Sequence, residues 1–298
     1  LVRMGRWPLL VTPAWLHARL SNPSVVVLDC SWYMPQAKRS GKDEFAQEAI
    51  PGARFWDVDG TSDRSSSLPH MLAPADEFEQ HVADLGIDAT QHLICYDGSG
   101  IFSSPRAWWT FRVHGHAAVS VLDGGLPAWR AAGFDVARGA APPPRRDAQP
   151  AWRSNGIDTS LVRTIDEVRA LVAAGCASQV VDARASGRFE GTAPEPRPDC
   201  VSGHMPGSRN VPFSELLEPV PGAEGGTQLA PAEKLQAVFE RAGVRSGEPF
   251  VSSCGSGMTA CVLALAAAQL GNERVAVYDG SWAEWGARSD TPIVNGPA

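Results

Sequence analysis

The chain has 298 residues, 44% of them hydrophobic and 20% charged, which is the composition of a folded globular protein and excludes a disordered one. Its formal net charge of −7 argues against a general nucleic-acid binder, which needs a basic face for phosphate. No apolar run reaches the roughly 20 residues that a membrane-spanning helix requires, and residues 1–10 lack the apolar core and small-residue cleavage site of a signal peptide.

Leu1 is an unusual first residue and leaves the natural N-terminus open. Six cysteines (Cys30, Cys95, Cys176, Cys200, Cys254 and Cys261) are scattered without a Cys-x-x-Cys pair. Neither a zinc site nor a disulfide framework is suggested, and a reducing cytoplasm is the simplest compartment. The length implies about two domains.

In chain order, Thr12-Pro13 offers a helix N-cap with proline at the first helical position. Val25–Asp29 reads as a strand, Ala75–Leu85 as a helix, and Leu93–Tyr96 and Ser120–Leu122 as strands. The run from Gly139 to Pro150 holds three consecutive prolines and no hydrophobic period, so it predicts a stiff linker. The pattern then restarts. Thr164-Ile-Asp-Glu167 is a capping box, Gln179–Asp182 a strand, Pro231–Ala242 a helix, Pro249–Val251 a strand, Thr259–Leu270 a helix and Arg274–Val277 a strand.

The two halves repeat one another. Val121-Leu-Asp-Gly-Gly-Leu-Pro-Ala-Trp129 matches Val277-Tyr-Asp-Gly-Ser-Trp-Ala-Glu-Trp285, and Ile50-Pro-Gly-Ala-Arg-Phe55 matches Met205-Pro-Gly-Ser-Arg-Asn210. The division expected is therefore a first domain over 1–138, a linker over 139–158 and a second domain over 159–298. Strands alternating with helices predict an α/β fold, a mostly parallel sheet with helices on both faces in each half. In such sheets ligands sit beyond the carboxyl ends of the strands.

Cys254 stands at such an end, in Ser253-Cys-Gly-Ser-Gly-Met-Thr-Ala260. Gly255 and Gly257 allow backbone angles closed to other residues. Several amide N–H groups can then turn inward, and a helix beginning near Met258 adds its positive end. A sulfur held there is stabilised as an anion. The position six residues on, where cysteine phosphatases carry arginine, is Ala260, and the loop has no arginine at all. A protease-like Cys–His pairing stays open, because the histidine need not be near in sequence. Aligning the copies on Asp123 and Asp279 sets Asp97 near the place of Cys254, so the first copy has no nucleophile there.

These motifs resemble the rhodanese superfamily in its tandem-domain form, over nearly the whole chain. The loop Cys254-Gly-Ser-Gly-Met-Thr-Ala260 is similar to that of members using 3-mercaptopyruvate, with Met258 in place of valine. Members using thiosulfate carry Arg and Lys where Gly255 and Ser256 stand here. The resemblance implies that Cys254 is the nucleophile and persulfide carrier. It also implies that Arg188 and Arg197, in Gly187–Arg197, hold the donor's carboxylate and keto oxygen, beside the loop residues Gly255, Gly257, Met258 and Thr259. Ser256, His70 and Asp59 resemble a proposed proton relay. The donor implied is 3-mercaptopyruvate or, alternatively, thiosulfate. The acceptor is cyanide, a small dithiol or a thioredoxin-like protein, and no metal or organic cofactor is required. A further reading, of another class, is a non-catalytic redox sensor acting through Cys254.

Overall fold

The computed structural model describes residues 7–140, 152–175 and 179–297. Residues 141–151 of the expected linker, and Cys176, lie outside them. The chain divides into two compact units. The first comprises Leu1–Asp63, Ala73–Asp158 and Pro219–Leu229, the second Arg64–Leu72, Thr159–Glu218 and Ala230–Ala298. His70, expected in the first domain, therefore belongs to the second unit.

The first unit contains β1 (Leu10–Val11), α1 (Pro13–His17), β2 (Val25–Asp29), α2 (Gly41–Gln47), β3 (Arg54–Phe55), α3 (Ala75–Asp84), β4 (His92–Tyr96), α4 (Ser104–Val113), β5 (Val119–Leu122) and α5 (Gly125–Ala131). Its five strands lie in the order β1-β5-β4-β2-β3, every pair parallel. All five residues of β4 are buried, as a parallel strand covered on both faces requires. Val27, Ile94, Tyr96, Leu122 and Trp129 form its core. The Thr12 hydroxyl accepts from the Trp15 amide at 3.2 Å, so α1 starts at the expected cap.

The chain continues with β6 (Val162–Arg163), α6 (Ile165–Ala173), β7 (Val180–Asp182), α7 (Ser186–Phe189) and β8 (Arg209–Asn210). β9 (Leu217–Pro219) and β10 (Thr227–Leu229) then pair as a separate ribbon. α8 (Ala232–Arg241), β11 (Val251–Ser253), α9 (Ala260–Gln269), β12 (Ala276–Tyr278) and α10 (Ser281–Trp285) complete it. The second sheet runs β6-β12-β11-β7-β8, again parallel throughout. Strand by strand it repeats the order of the first sheet. The capping box is formed, with the Thr164 amide donating to Glu167 Oε2 at 2.8 Å. Helix α9 is apolar all round and buried from Ala260 to Ala268, the pattern of a helix packed on every side.

Two strands are displaced from their expected places. The strand expected at Pro249–Val251 is Val251–Ser253, because register is set by its neighbours: Val251 pairs with Val180 and Ala276, and Ser253 with Asp182. Pro249 has no N–H to give a ladder. The strand expected at Arg274–Val277 is Ala276–Tyr278. The first displacement matters, because it puts Cys254 immediately after the last strand residue.

In both sheets the chain leaves the central pair of strands in opposite directions: β7 leads outward to β8, and β11 leads the other way to β12. The carboxyl ends of β7 and β11 thus flank a topological switch point, where open α/β sheets bind ligands. Among the described residues no helix is long and apolar enough to cross a membrane.

Candidate active site

The switch point of the second unit is built from the turn after β11 and the segment after β7. Cys254 is the first residue beyond β11 and is 1% exposed. Its carbonyl accepts from the Trp282 amide at 2.9 Å, and that of Gly255 accepts from the Ala283 amide at 2.8 Å. The loop is thereby fastened to α10. Helix α9 begins at Ala260, one residue after the expected Thr259.

The amides of this loop divide into two sets. Those of Cys254 and Gly257 donate to Ser281 Oγ at 3.2 and 3.0 Å, and that hydroxyl donates to the Tyr278 carbonyl at 2.7 Å. Those of Gly255, Ser256, Met258, Thr259 and Ala260 have no acceptor among the described residues. Gly257 has φ +75°, a conformation glycine adopts without strain. Buried amides normally have partners, so this second set leaves the turn able to receive an acceptor or an anion.

The first unit shows such an anion in place. Asp97 follows β4 as Cys254 follows β11, and its Oδ2 accepts from the amides of Phe102, Ser103 and Ser104 at 2.9, 3.0 and 2.8 Å. The Ser104 hydroxyl adds a fourth bond at 2.7 Å, and Oδ1 takes the Ser99 amide at 2.9 Å. Counting from Asp97 and from Cys254, Phe102 and Ser103 correspond to Thr259 and Ala260, whose amides belong to the unpartnered set.

Two arginines converge on the cysteine loop. A Cβ on Gly255 would lie 3.2 Å from Nη2 of Arg188 and 3.8 Å from Nη1 of Arg197. Arg188 comes from α7, and Arg197 stands in a segment with proline at 194, 196 and 198. Glycine at 255 therefore leaves the guanidinium groups room to approach.

His70 and Ser256 also meet. His70 Nδ1 lies 2.9 Å from Ser256 Oγ and 3.3 Å from the Ser256 carbonyl. Both side chains are buried. The hydroxyl suits either ring tautomer, whereas the carbonyl accepts only and requires Nδ1–H. His70 has φ +62° and Ser281 φ +49°, two of three non-glycine residues with positive φ among those described. Strain of this kind collects at functional sites. Asp59 is in the first unit, exposed, with Oδ2 accepting from Trp32 Nε1 at 2.8 Å. Trp32 and Tyr33 are half-buried.

The remaining described cysteines have other surroundings. Burial pushes the Cys30 thiol well up and the Cys200 thiol up, which disfavours the nucleophilic thiolate. Cys261 is buried in α9 and donates to the Gly257 carbonyl at 3.2 Å.

Three residues at this site were not singled out from sequence: Ser281, Glu195 and Arg184. Arg184 is fully buried, forked on Asp182, stacked over Trp282 at 4.0 Å, and bonded through Nη1 to Glu195 at 2.7 Å. For Ser281 a signal existed. Its counterpart in the first copy is Gly125, with φ +53°. A serine aligned with a left-handed glycine is a serine kept at some cost.

Comparison with known proteins gives the same duplication. The Rhodanese-like domain model matches twice, at residues 12–132 and 164–288. The chain is 41% identical to the 3-mercaptopyruvate sulfurtransferase of Rattus norvegicus over 94% of its own length and 92% of that protein's. It is also 41% identical to the mitochondrial thiosulfate/3-mercaptopyruvate sulfurtransferase 1 of Arabidopsis thaliana, over 95% of this chain and 77% of that one. The solved structure of SseA from Escherichia coli, described as a 3-mercaptopyruvate sulfotransferase, superposes with a TM-score of 0.80 at 34% identity, covering 92% of this chain and 98% of that one. Two matched halves, one strand order used twice and relatives aligned almost end to end have a single explanation: the chain belongs to the rhodanese-like family, in its tandem-domain form.

Proposed function

We propose that the protein is a sulfurtransferase that takes sulfur from 3-mercaptopyruvate, carries it as a persulfide on Cys254 and passes it to a thiophilic acceptor, releasing pyruvate. One observation carries the reading: two guanidinium groups converge over Gly255, beside a cysteine whose loop holds unpartnered amides. An arginine fork suits the carboxylate of an α-keto acid, and inward amides suit an anionic sulfur.

In the proposed reaction Arg188 and Arg197 hold the donor with its sulfur against Cys254. The Cys254 thiolate attacks that sulfur, an S–S bond forms, and the C–S bond breaks. The electron pair leaves on carbon as the enolate of pyruvate, which is protonated to pyruvate. The net proton movement is from the donor thiol to the new methyl carbon. The Ser256 hydroxyl, hydrogen-bonded to His70, is positioned to carry it, help worth roughly 10²–10⁴-fold where general acid–base catalysis operates. The family resemblance adds Asp59, which lies in the first unit, to that relay. Gly257, Met258 and Thr259 shape the floor beneath the outer sulfur. An acceptor thiolate, a thioredoxin-like protein or cyanide then attacks that sulfur and restores the Cys254 thiolate. A reducing compartment, the cytoplasm in our reading, suits a reaction that ends on a thiol.

Intact-mass measurement after incubation with 3-mercaptopyruvate tests this. One added sulfur atom is expected on the wild-type chain and none on Cys254→Ser. Loading of the Ser variant, or no loading of the wild type, would overturn the assignment.

A further inference from the structure

Behind the two arginines lies a buried charge network that the reaction scheme does not use. Glu195 has a side chain only 3% exposed and sits between Arg184 and Arg188. Its Oε1 takes Nη1 of Arg184 at 2.7 Å, and both its oxygens take Nε of Arg188 at 3.2 Å, while Oε2 also takes Nη2. Asp182, at the end of β7, holds the other edge of Arg184. Pro194 and Pro196 flank Glu195 and fix the backbone on either side of it.

This geometry has two consequences. The Nε edge of Arg188 is occupied by Glu195, so its Nη groups are what face Gly255. The network also has a definite charge. The ion-paired set of Asp182, Arg184, Glu195 and Arg188 balances to zero, and Arg197, facing Gly255 beside Arg188, adds a local surplus of one positive charge. In a poorly solvated site a mismatch of charge between ligand and site discriminates strongly.

We propose that Glu195 is a positioning and specificity-determining residue: it aims Arg188 at the donor and trims the site to a surplus that matches a singly charged donor over a doubly charged one. The inference rests on the mercaptopyruvate reading. Mercaptopyruvate brings one negative charge and thiosulfate two. A site with Glu195 neutralised would gain more attraction for the dianion than for the monoanion, and with Arg188 no longer aimed it would hold the carboxylate of the monoanion less well.

Glu195→Gln and Glu195→Asp test it, with cyanide as acceptor and both donors measured. Thermal melts check folding. For Glu195→Gln the expectation is a roughly tenfold higher KM for mercaptopyruvate, with kcat within about threefold, the signature of lost ground-state binding. The thiosulfate-to-mercaptopyruvate ratio of kcat/KM should rise by about tenfold or more. Glu195→Asp keeps the charge and should leave that ratio within about threefold of wild type, whatever its KM. A readout free of turnover is the protection of Cys254 against iodoacetamide by two inert anions. Pyruvate should protect less, and sulfate more, in Glu195→Gln than in wild type.

An unchanged donor ratio in Glu195→Gln overturns the proposal, as does an equal fall of kcat for both donors with KM unmoved. If the Gln variant does not fold, Glu195→Asp decides, since a tenfold shift of the ratio with the charge retained is fatal to it. A wild-type chain that takes no sulfur from mercaptopyruvate refutes the proposed function instead, and the pyruvate and sulfate protection of Cys254 still judges the charge argument by itself.

Discussion

Replacing Ser281 removes the acceptor that two amides of the cysteine loop share. In Ser281→Ala the N–H groups of Cys254 and Gly257 lose their partner and the Tyr278 carbonyl loses its donor. At about 1 kcal/mol for each buried group left unmade, the loss is about 2–3 kcal/mol. Alanine keeps the side-chain strain at φ +49°. Ser281→Gly loses the same bonds but relieves about 1 kcal/mol of left-handed strain, offset in part by about 0.5–1 kcal/mol for a more flexible unfolded chain. Glycine should therefore be no less stable than alanine here, the reverse of its usual rank. Urea unfolding followed by tryptophan fluorescence measures both, with Trp282 and Trp285 buried in the same helix as local reporters. Sulfur loading of Cys254 should also slow in both variants, because the loop loses its anchor. A loss under about 0.5 kcal/mol in Ser281→Ala, or a glycine variant clearly weaker than alanine, would refute the account of Ser281 as a strained but necessary acceptor.

Asp97→Ala should destabilise the first unit by about 3–5 kcal/mol, because four amides and the Ser104 hydroxyl lose their acceptor together; a loss below about 1 kcal/mol in urea unfolding would contradict the cradle described for it. Acid should weaken the same unit. Burial pushes His114 down to about 4, so the unfolded chain takes up its proton first, and this contribution, about 3 kcal/mol, is complete above about pH 6.5 and disappears as the pH falls towards 4. Asp29, raised by burial to about 6, acts in the opposite sense, since the folded state binds its proton more tightly as the pH drops below 6. Unfolding free energies across this range should flatten in His114→Gln and steepen in Asp29→Asn.

Much of the architecture could be read from residues alone, because it follows from local patterns that tertiary packing then reinforces. The Thr12 cap and the Thr164 box are local hydrogen bonds, and both formed as the sequence implies. The duplicated Asp-Gly motif at 123 and 279 exposed the repeat, and the contrast with Asp97 strengthened the reading of Cys254 already drawn from its glycine loop. Strand ends were less legible. Val251–Ser253 is placed by partners distant in sequence, and no local signal carries that register. The ownership of His70 was hidden for the same reason, since a short excursion of the chain joins the second unit while its neighbours in sequence join the first. Glu195 was obscured by its company, for a glutamate between prolines reads as a solvated loop until its buried partners are seen.

The turn after the central strand appears twice, with a tenant of different permanence in each copy. In one, an acidic side chain meets the backbone's demand for negative charge for the life of the molecule. In the other, on the proposed chemistry, the outer sulfur of a persulfide fills that role only while sulfur is aboard, and the Cys254 thiolate carries the charge between loads. Cargo and rigidity would then be thermodynamically linked, because the loop amides can hold the persulfide anion only in the folded form. The loaded protein would be the more resistant to heat and proteolysis, and each delivery of sulfur would return it to a looser resting form.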